Sequence, residues 1–136
     1  MHTLFSAREV LTLDAVALRA YPRAGTEGTM TIHLRDVATD EDIEGYLLGS
    51  PVSIMREFIT TPGRGPRLHR HPYAETFVIR RGRALFTVGE DQVVGAGGQI
   101  LVVPALVSHR FEVLDGGTYE ATHVHANDRF VTEWLE

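Results

Sequence analysis

The feature that most constrains this chain is its punctuation. From Ser53 onward, short runs rich in β-branched and aromatic residues are cut by turn residues, and none of them carries the 3.6-residue period of a long amphipathic helix. Residues 53–61 read as a strand broken by Pro62-Gly63-Arg64-Gly65-Pro66. Residues 75–80 and 83–88 flank Arg81-Gly82, the pattern of a hairpin with glycine at the turn. Gly89-Glu90-Asp91 turns the chain into a short run, 92–94, and Gly95-Ala96-Gly97-Gly98 turns it again into the apolar strand 99–103, which Pro104 ends. Residues 108–114 alternate, with His109, Phe111 and Val113 on one face. After Asp115-Gly116-Gly117, residues 118–124 form another strand, with Tyr119, Ala121, His123 and His125 sharing a parity. Residues 130–135 close the pattern as a strand or short helix. Many short strands at turn spacing predict an all-β sandwich or barrel, and closing the sheet removes exposed strand edges.

Upstream the pattern is weaker. Residues 1–20 fit strands or a short helix, Pro22, Gly25 and Gly28 mark a loop over 21–29, and 30–37 alternate as a strand. The acidic stretch 36–44 reads as a solvated loop or one helical turn capped by Thr39 or Asp40; it lacks the glycine and ligand spacing of a calcium loop. A length of 136 residues with 43% hydrophobic residues suits one domain with a packed core. A net charge of -5 opposes nucleic-acid binding by phosphate neutralisation. No apolar run is long enough to span a membrane, and the first residues lack the basic-then-apolar order of a signal peptide, so a cytoplasmic protein without membrane contact is expected. Cysteine is absent, which excludes disulfide and thiolate chemistry.

The chemistry concentrates between Gly63 and Gly82. His69 and His71 are two residues apart, so in an extended segment their side chains share a face. A turn through Pro72-Tyr73-Ala74 can return the Glu75 carboxylate to the same place. Two imidazoles and a carboxylate converging there suit a divalent transition metal. His109 lies on the apolar face of its strand with Phe111 and Val113, and that face should point into a barrel. The glycine-rich turn 95–98 is not a phosphate loop, since no Lys-Ser/Thr pair or helix follows it.

These residues resemble the cupins, a family of small β-barrels (double-stranded β-helix, or jelly roll). Their first motif, a glycine, His-x-His, a glutamate and a closing glycine, is filled without a gap by Gly63, His69, His71, Glu75 and Gly82. Their second motif is matched at Gly98, Pro104 and His109, but Leu106 stands at its second glycine and Val113 at its asparagine. The motifs thus occupy 63–82 and 98–113 of a single cupin domain over 1–136. The resemblance implies that His69, His71, Glu75 and His109 ligate one divalent metal ion: iron, manganese, nickel, cobalt, copper or zinc. It also implies a metal-dependent enzyme acting on a small organic molecule inside the barrel, leaning to dioxygenase chemistry. The alternatives are a redox-neutral isomerase, cyclase or lyase, and a non-catalytic binding protein. A homodimer is expected, with residues 1–29 as an exchanged or packed arm.

Further candidates are weighed against plainer roles. His123 and His125 can act as a general base or hydrogen-bond donor, or else form a surface pair near a strand end. Tyr73 can overhang the mouth, or else pack outside. Arg56, alternating with Ile54 and Phe58, can bind a carboxylate inside the barrel, or else be exposed or bridge a dimer. Phe77, Ile79, Phe86, Val88, Ile100, Val102, Phe111 and Val113 are expected in the core or pocket wall. Arg80, Arg81 and Arg83 are expected on a solvated face.

Overall fold

The computed structural model describes residues 33, 34 and 36–136. The expectations for residues 1–32, including the arm over 1–29, lie outside the described residues. Residues 36–136 carry nine strands: β1 (Ser53–Ile59), β2 (His69–Arg70), β3 (Glu75–Arg81), β4 (Arg83–Val88), β5 (Asp91–Ala96), β6 (Ile100–Val103), β7 (His109–Val113), β8 (Tyr119–His125) and β9 (Glu133–Trp134). One sheet has the order β1-β8-β3-β6 and the other β5-β4-β7-β2-β9, and every pairing is antiparallel. The all-β expectation therefore holds, in the two-sheet arrangement of a jelly roll. No helix among the described residues is long and apolar enough to cross a membrane.

Alternation builds the core. Along β7 and β8 every second residue is buried, and the inward residues of both sheets meet in one cluster. Phe77 and Ile79 of β3 and Tyr119 and Ala121 of β8 face Ala84 and Phe86 of β4 and Phe111 and Val113 of β7. Aromatic rings set the spacing between the sheets: Phe77 meets Phe86 edge-on at 5.1 Å, and Phe111 lies 5.4 Å from Tyr119.

Three expectations need correction. The runs 75–80 and 83–88 are not a hairpin, because β3 pairs with β8 and β6 while β4 pairs with β5 and β7. Gly82, at φ 77°, passes the chain from one sheet to the other, over a backbone so close that a Cβ there would lie 2.8 Å from Tyr119 Cα. Ile100 and Val102 are exposed, because β6 pairs Glu75 with Val103 and Phe77 with Leu101, which turns the odd-numbered residues inward. Residues 36–44 form a loop, the first of the two readings, and a helical turn follows at Gly45–Leu48, where Gly45 N–H bonds to Ser53 Oγ and the left-handed Gly49 ends it. Arg56 neither enters the barrel nor stands free: its guanidinium donates to the carbonyls of Val37 and Ala38, and its parity on β1 faces away from Met55 and Glu57.

The departure of the second motif has a backbone signature. Leu106 has φ 67°, the one positive value at a non-glycine residue among those described. The chain thus keeps a left-handed turn that favours glycine while carrying a side chain there. The turn is held because Leu106 N–H donates to the His71 carbonyl at 2.7 Å, tying the second motif to a histidine of the first. Val113, at the asparagine position, is a buried core residue.

In urea unfolding, Gly82→Ala is expected to lower stability by about 3 kcal/mol, through both the left-handed backbone and the close approach. Leu106→Gly is expected to raise it by about 1 kcal/mol, with an unchanged denaturant slope in both cases.

Candidate metal centre

The two sheets bring six polar side chains to one end of the barrel. His69 on β2 stands opposite His109 on β7, and Glu75 at the start of β3 stands opposite His125 on β8. His71 follows β2, and His123 precedes His125 by one inward step. All six are buried, as are Ser53 and the hydroxyl-bearing Tyr73 and Tyr119. The donor atoms of His69, His71, Glu75 and His109 lie within 4.8 Å of one another, so these four residues could hold a metal ion.

The orientation of each ring is fixed from behind. A carbonyl oxygen can only accept, so the ring nitrogen beside it must donate. His69 Nδ1–H donates to the Arg67 carbonyl at 2.7 Å, His71 Nδ1–H to that of Val131 at 2.8 Å, and His109 Nδ1–H to that of Val107 at 2.9 Å. In the neutral rings this leaves the Nε2 lone pairs for the centre, the arrangement that metal-ligating histidines require. Glu75 Oε2 lies 2.8 Å from His109 Nε2 and 3.0 Å from His71 Nε2. The second approach is close in distance but misaligned, and His71 Nε2 is buried without a hydrogen-bond partner. Lone pairs of neutral imidazoles facing an ionised carboxylate repel unless a proton or a metal cation sits between them. A divalent transition ion fits this donor set.

Electrostatics point the same way. Burial alone would raise the Glu75 carboxyl, but the surrounding imidazoles of His109, His123, His125 and His71 outweigh it and hold the group far below the usual carboxylate range. Burial lowers His69 below the ordinary imidazole value. At His71 burial acts downward too, but the Glu75 carboxylate beside the ring and the hydrogen bond to Val131 prevail and raise it.

The other carboxylate oxygen faces a second pair. Glu75 Oε1 lies 3.2 Å from His125 Nε2 and 3.4 Å from His123 Nδ1. Tyr73 accepts the Val131 N–H at 3.0 Å, which leaves its own proton for His125 Nδ1 at 3.1 Å. Its ring stacks on His71 at 5.1 Å and an interplanar angle of 4°. His123 is approached at 3.4 Å by the hydroxyl of Tyr119. His123 and His125 are thus interior groups, not a surface pair, and Tyr73 does not pack outside. Burial raises the Tyr73 and Tyr119 hydroxyls above the ordinary phenol range, so both remain protonated donors.

A cavity of about 100 Å³ opens onto these groups, walled also by Met55, Glu57, Thr132 and Trp134. Sequence reasoning missed these four. On β1 both parities carry apolar residues, so alternation alone could not choose Met55 and Glu57 over Ile54, Arg56 and Phe58. Thr132 and Trp134 reach the site because β9 pairs with β2, placing Trp134 opposite His69 at a ring distance of 5.2 Å.

Comparison with known proteins agrees with this architecture. The cupin domain family matches residues 56–125, just over half of the chain, and the chain belongs to that family. Among solved structures, a formate complex of oxalate decarboxylase from Lactobacillus farciminis is similar with a TM-score of 0.62 at 19% identity, over 70% of this chain and 30% of that one. A cupin protein from Bacteroides fragilis gives a TM-score of 0.62 at 13% identity, over 79% and 93%. Pumpkin seed globulin gives 0.62 at 16%, over 78% and 32%. This chain therefore spans about a third of the oxalate decarboxylase and globulin chains and nearly all of the Bacteroides one. No curated protein matches it by sequence.

Reconstituted protein is expected to take up about one divalent ion per chain by elemental analysis, and Glu75→Gln or a His69→Ala, His109→Ala double variant to fall to background. Uptake should weaken as pH falls, because a protonated imidazole has no lone pair to give. The loss should begin above the ordinary imidazole value of 6.5, where His71 takes its proton, while His69 remains neutral to lower pH. A chelator competition titrated against pH measures it.

Proposed function

We propose that this cupin is a metal-dependent enzyme acting on a small organic molecule held against His69, His71, Glu75 and His109. The observation that carries the reading is the buried set of four donors whose three histidines each spend Nδ1–H on a backbone carbonyl and keep Nε2 for the centre. A divalent transition ion bound there would supply Lewis acidity or, if redox-active, a partner for dioxygen. Dioxygenase-type chemistry is the first reading, and it rests on the cupin resemblance.

A second reading, redox-neutral isomerisation, cyclisation or lysis, is favoured by one specific feature. His125 is coupled to Tyr73, and His123 to Tyr119, on the side of Glu75 away from His71 and His109. Such pairs can hold and pass a proton beside a bound carbonyl or enol. In this reading His125 moves the proton, Tyr73 orients its ring, and His123 positions Glu75.

Protein reconstituted with iron or copper is expected to consume dioxygen with a member of a panel of catechols, diketones and thiols, and His109→Ala to abolish consumption. Tyr73→Phe should keep the metal and lower turnover by about tenfold to a hundredfold. If oxygen uptake is absent while deuterium exchanges next to the carbonyl of a diketone, the redox-neutral reading replaces the first. If metal-loaded protein does neither, a binding role replaces both.

A further inference from the structure

Glu57 is a carboxylate that the metal centre does not use. It sits on the inward parity of β1, paired across the sheet with Ala121, and it is half-buried. No hydrogen bond or ion pair engages its carboxyl among the described residues. It lines the inner cavity of about 100 Å³ together with His69, His71 and Glu75, and it also lines an outer cavity of about 510 Å³ that reaches Arg64, Gly65 and Pro66. Glu57, Pro66 and Phe111 are common to both cavities, so Glu57 stands where the two adjoin.

The charge pattern of the inner cavity is one-sided. Glu57 and Glu75 line it, and no lysine or arginine does; Arg64 lines the outer cavity alone. Glu75 is surrounded by histidines, whereas Glu57 has no such shell. A ligand that binds the metal through one oxygen and carries a second carboxylate would bring that charge beside the like charge of Glu57, with no lysine or arginine in the lining to meet it. A ligand with a hydroxyl or ammonium group there would instead complete the free acceptors of Glu57. The volume fits the reacting part of such a molecule and not a drug-sized ligand, whose remainder the outer cavity would take.

We propose that Glu57 is the specificity-determining residue of the site, selecting small molecules that pair a metal-binding oxygen with a hydroxyl or ammonium donor and rejecting dianions such as dicarboxylates. The selection rests on the reading of the four-donor group as a metal centre. Burial raises the Glu57 carboxyl above its ordinary range, against the pull of His123 and with Asp42 and Glu75 adding to it. Glu57 thereby sets this site apart in charge from one that would welcome a second carboxylate, whatever metal it holds.

The test uses protein loaded with cobalt(II), whose visible spectrum reports ligands entering its coordination sphere. Three acids of similar length serve as probes: butanoate, 3-hydroxypropanoate and malonate, which end in methyl, hydroxyl and carboxylate. Wild-type protein is expected to bind 3-hydroxypropanoate about tenfold more tightly than butanoate. Glu57→Leu should erase that preference, and Glu57→Gln should tighten malonate about tenfold while moving butanoate less than about twofold. A hydroxyl preference that survives in Glu57→Leu, or malonate affinity unchanged in Glu57→Gln, overturns the inference alone. Loss of cobalt from both variants also overturns it, since Glu57 would then serve the metal and not the ligand. Wild-type protein that takes up no cobalt overturns the metal reading, and this inference with it.

Discussion

The structure depends on one buried carboxylate. Burying an ionised carboxyl costs several kcal/mol unless its charge is met, and Glu75 is enclosed by four imidazoles. Oε2 faces His71 and His109, and Oε1 faces His123 and His125. Each ring is in turn fixed by a partner behind it: the carbonyls of Val107 and Val131 for His109 and His71, and the hydroxyls of Tyr119 and Tyr73 for His123 and His125. Removing the charge of Glu75 would take the one carboxylate out of the four-donor set. The two oxygens also divide the work, one turned to the candidate metal ligands and one to the candidate proton-transfer pair.

The same strands make the site and the core, by a change of residue type along a single face. On β3 the inward series runs Glu75, Phe77, Ile79; on β7 it runs His109, Phe111, Val113; on β8 it runs backward from His125 and His123 to Ala121 and Tyr119. One end of the barrel is therefore imidazole and carboxylate, and the rest is hydrocarbon. Phe77 marks the boundary: its ring lies 4.4 Å from His123 and 5.1 Å from Phe86. A low-dielectric floor beneath the histidines strengthens every charge interaction above it. The packed rings also limit how far a ligating histidine can shift without disturbing the core.

What could be read from the sequence follows from this construction. Alternation in 108–114 and 118–124 was legible because one face of each run is apolar or histidine and the other carries Arg110, Glu112, Glu120 and Thr122. It fails on β1 and β6, where both faces carry large apolar residues and parity does not mark Glu57 as inward or Ile100 and Val102 as outward. The 75–88 segment looked like a hairpin because glycine between two strands signals a tight turn; whether the strands then pair is decided by the backbone of Thr118 and Tyr119 packed against Gly82, which has no local signature. The histidines were legible as a set, but their backbone partners were not, since a carbonyl belongs to every residue type.

Val131 shows why those hidden partners matter. Its carbonyl accepts from His71 Nδ1–H and its N–H donates to the Tyr73 hydroxyl, so one peptide segment orients a candidate metal ligand and the group that aligns His125. Val131 is itself placed by β9, which pairs Trp134 with His69 and Glu133 with Arg70, while Arg70 and Glu133 also form a two-pronged ion pair at 2.6 and 3.0 Å on the outer face. Leu106 adds a third tie, its N–H on the carbonyl of His71 itself. His71 is thus held at its ring by residue 131 and at its backbone by residue 106, from opposite directions in sequence. The left-handed strain at Leu106 is the counterpart of that tie, because relaxing the turn would swing the N–H away from His71. Order in the first-motif histidines is therefore bought by contacts made only when β7 and β9 have docked on β2, which couples completion of the sheet to formation of the site.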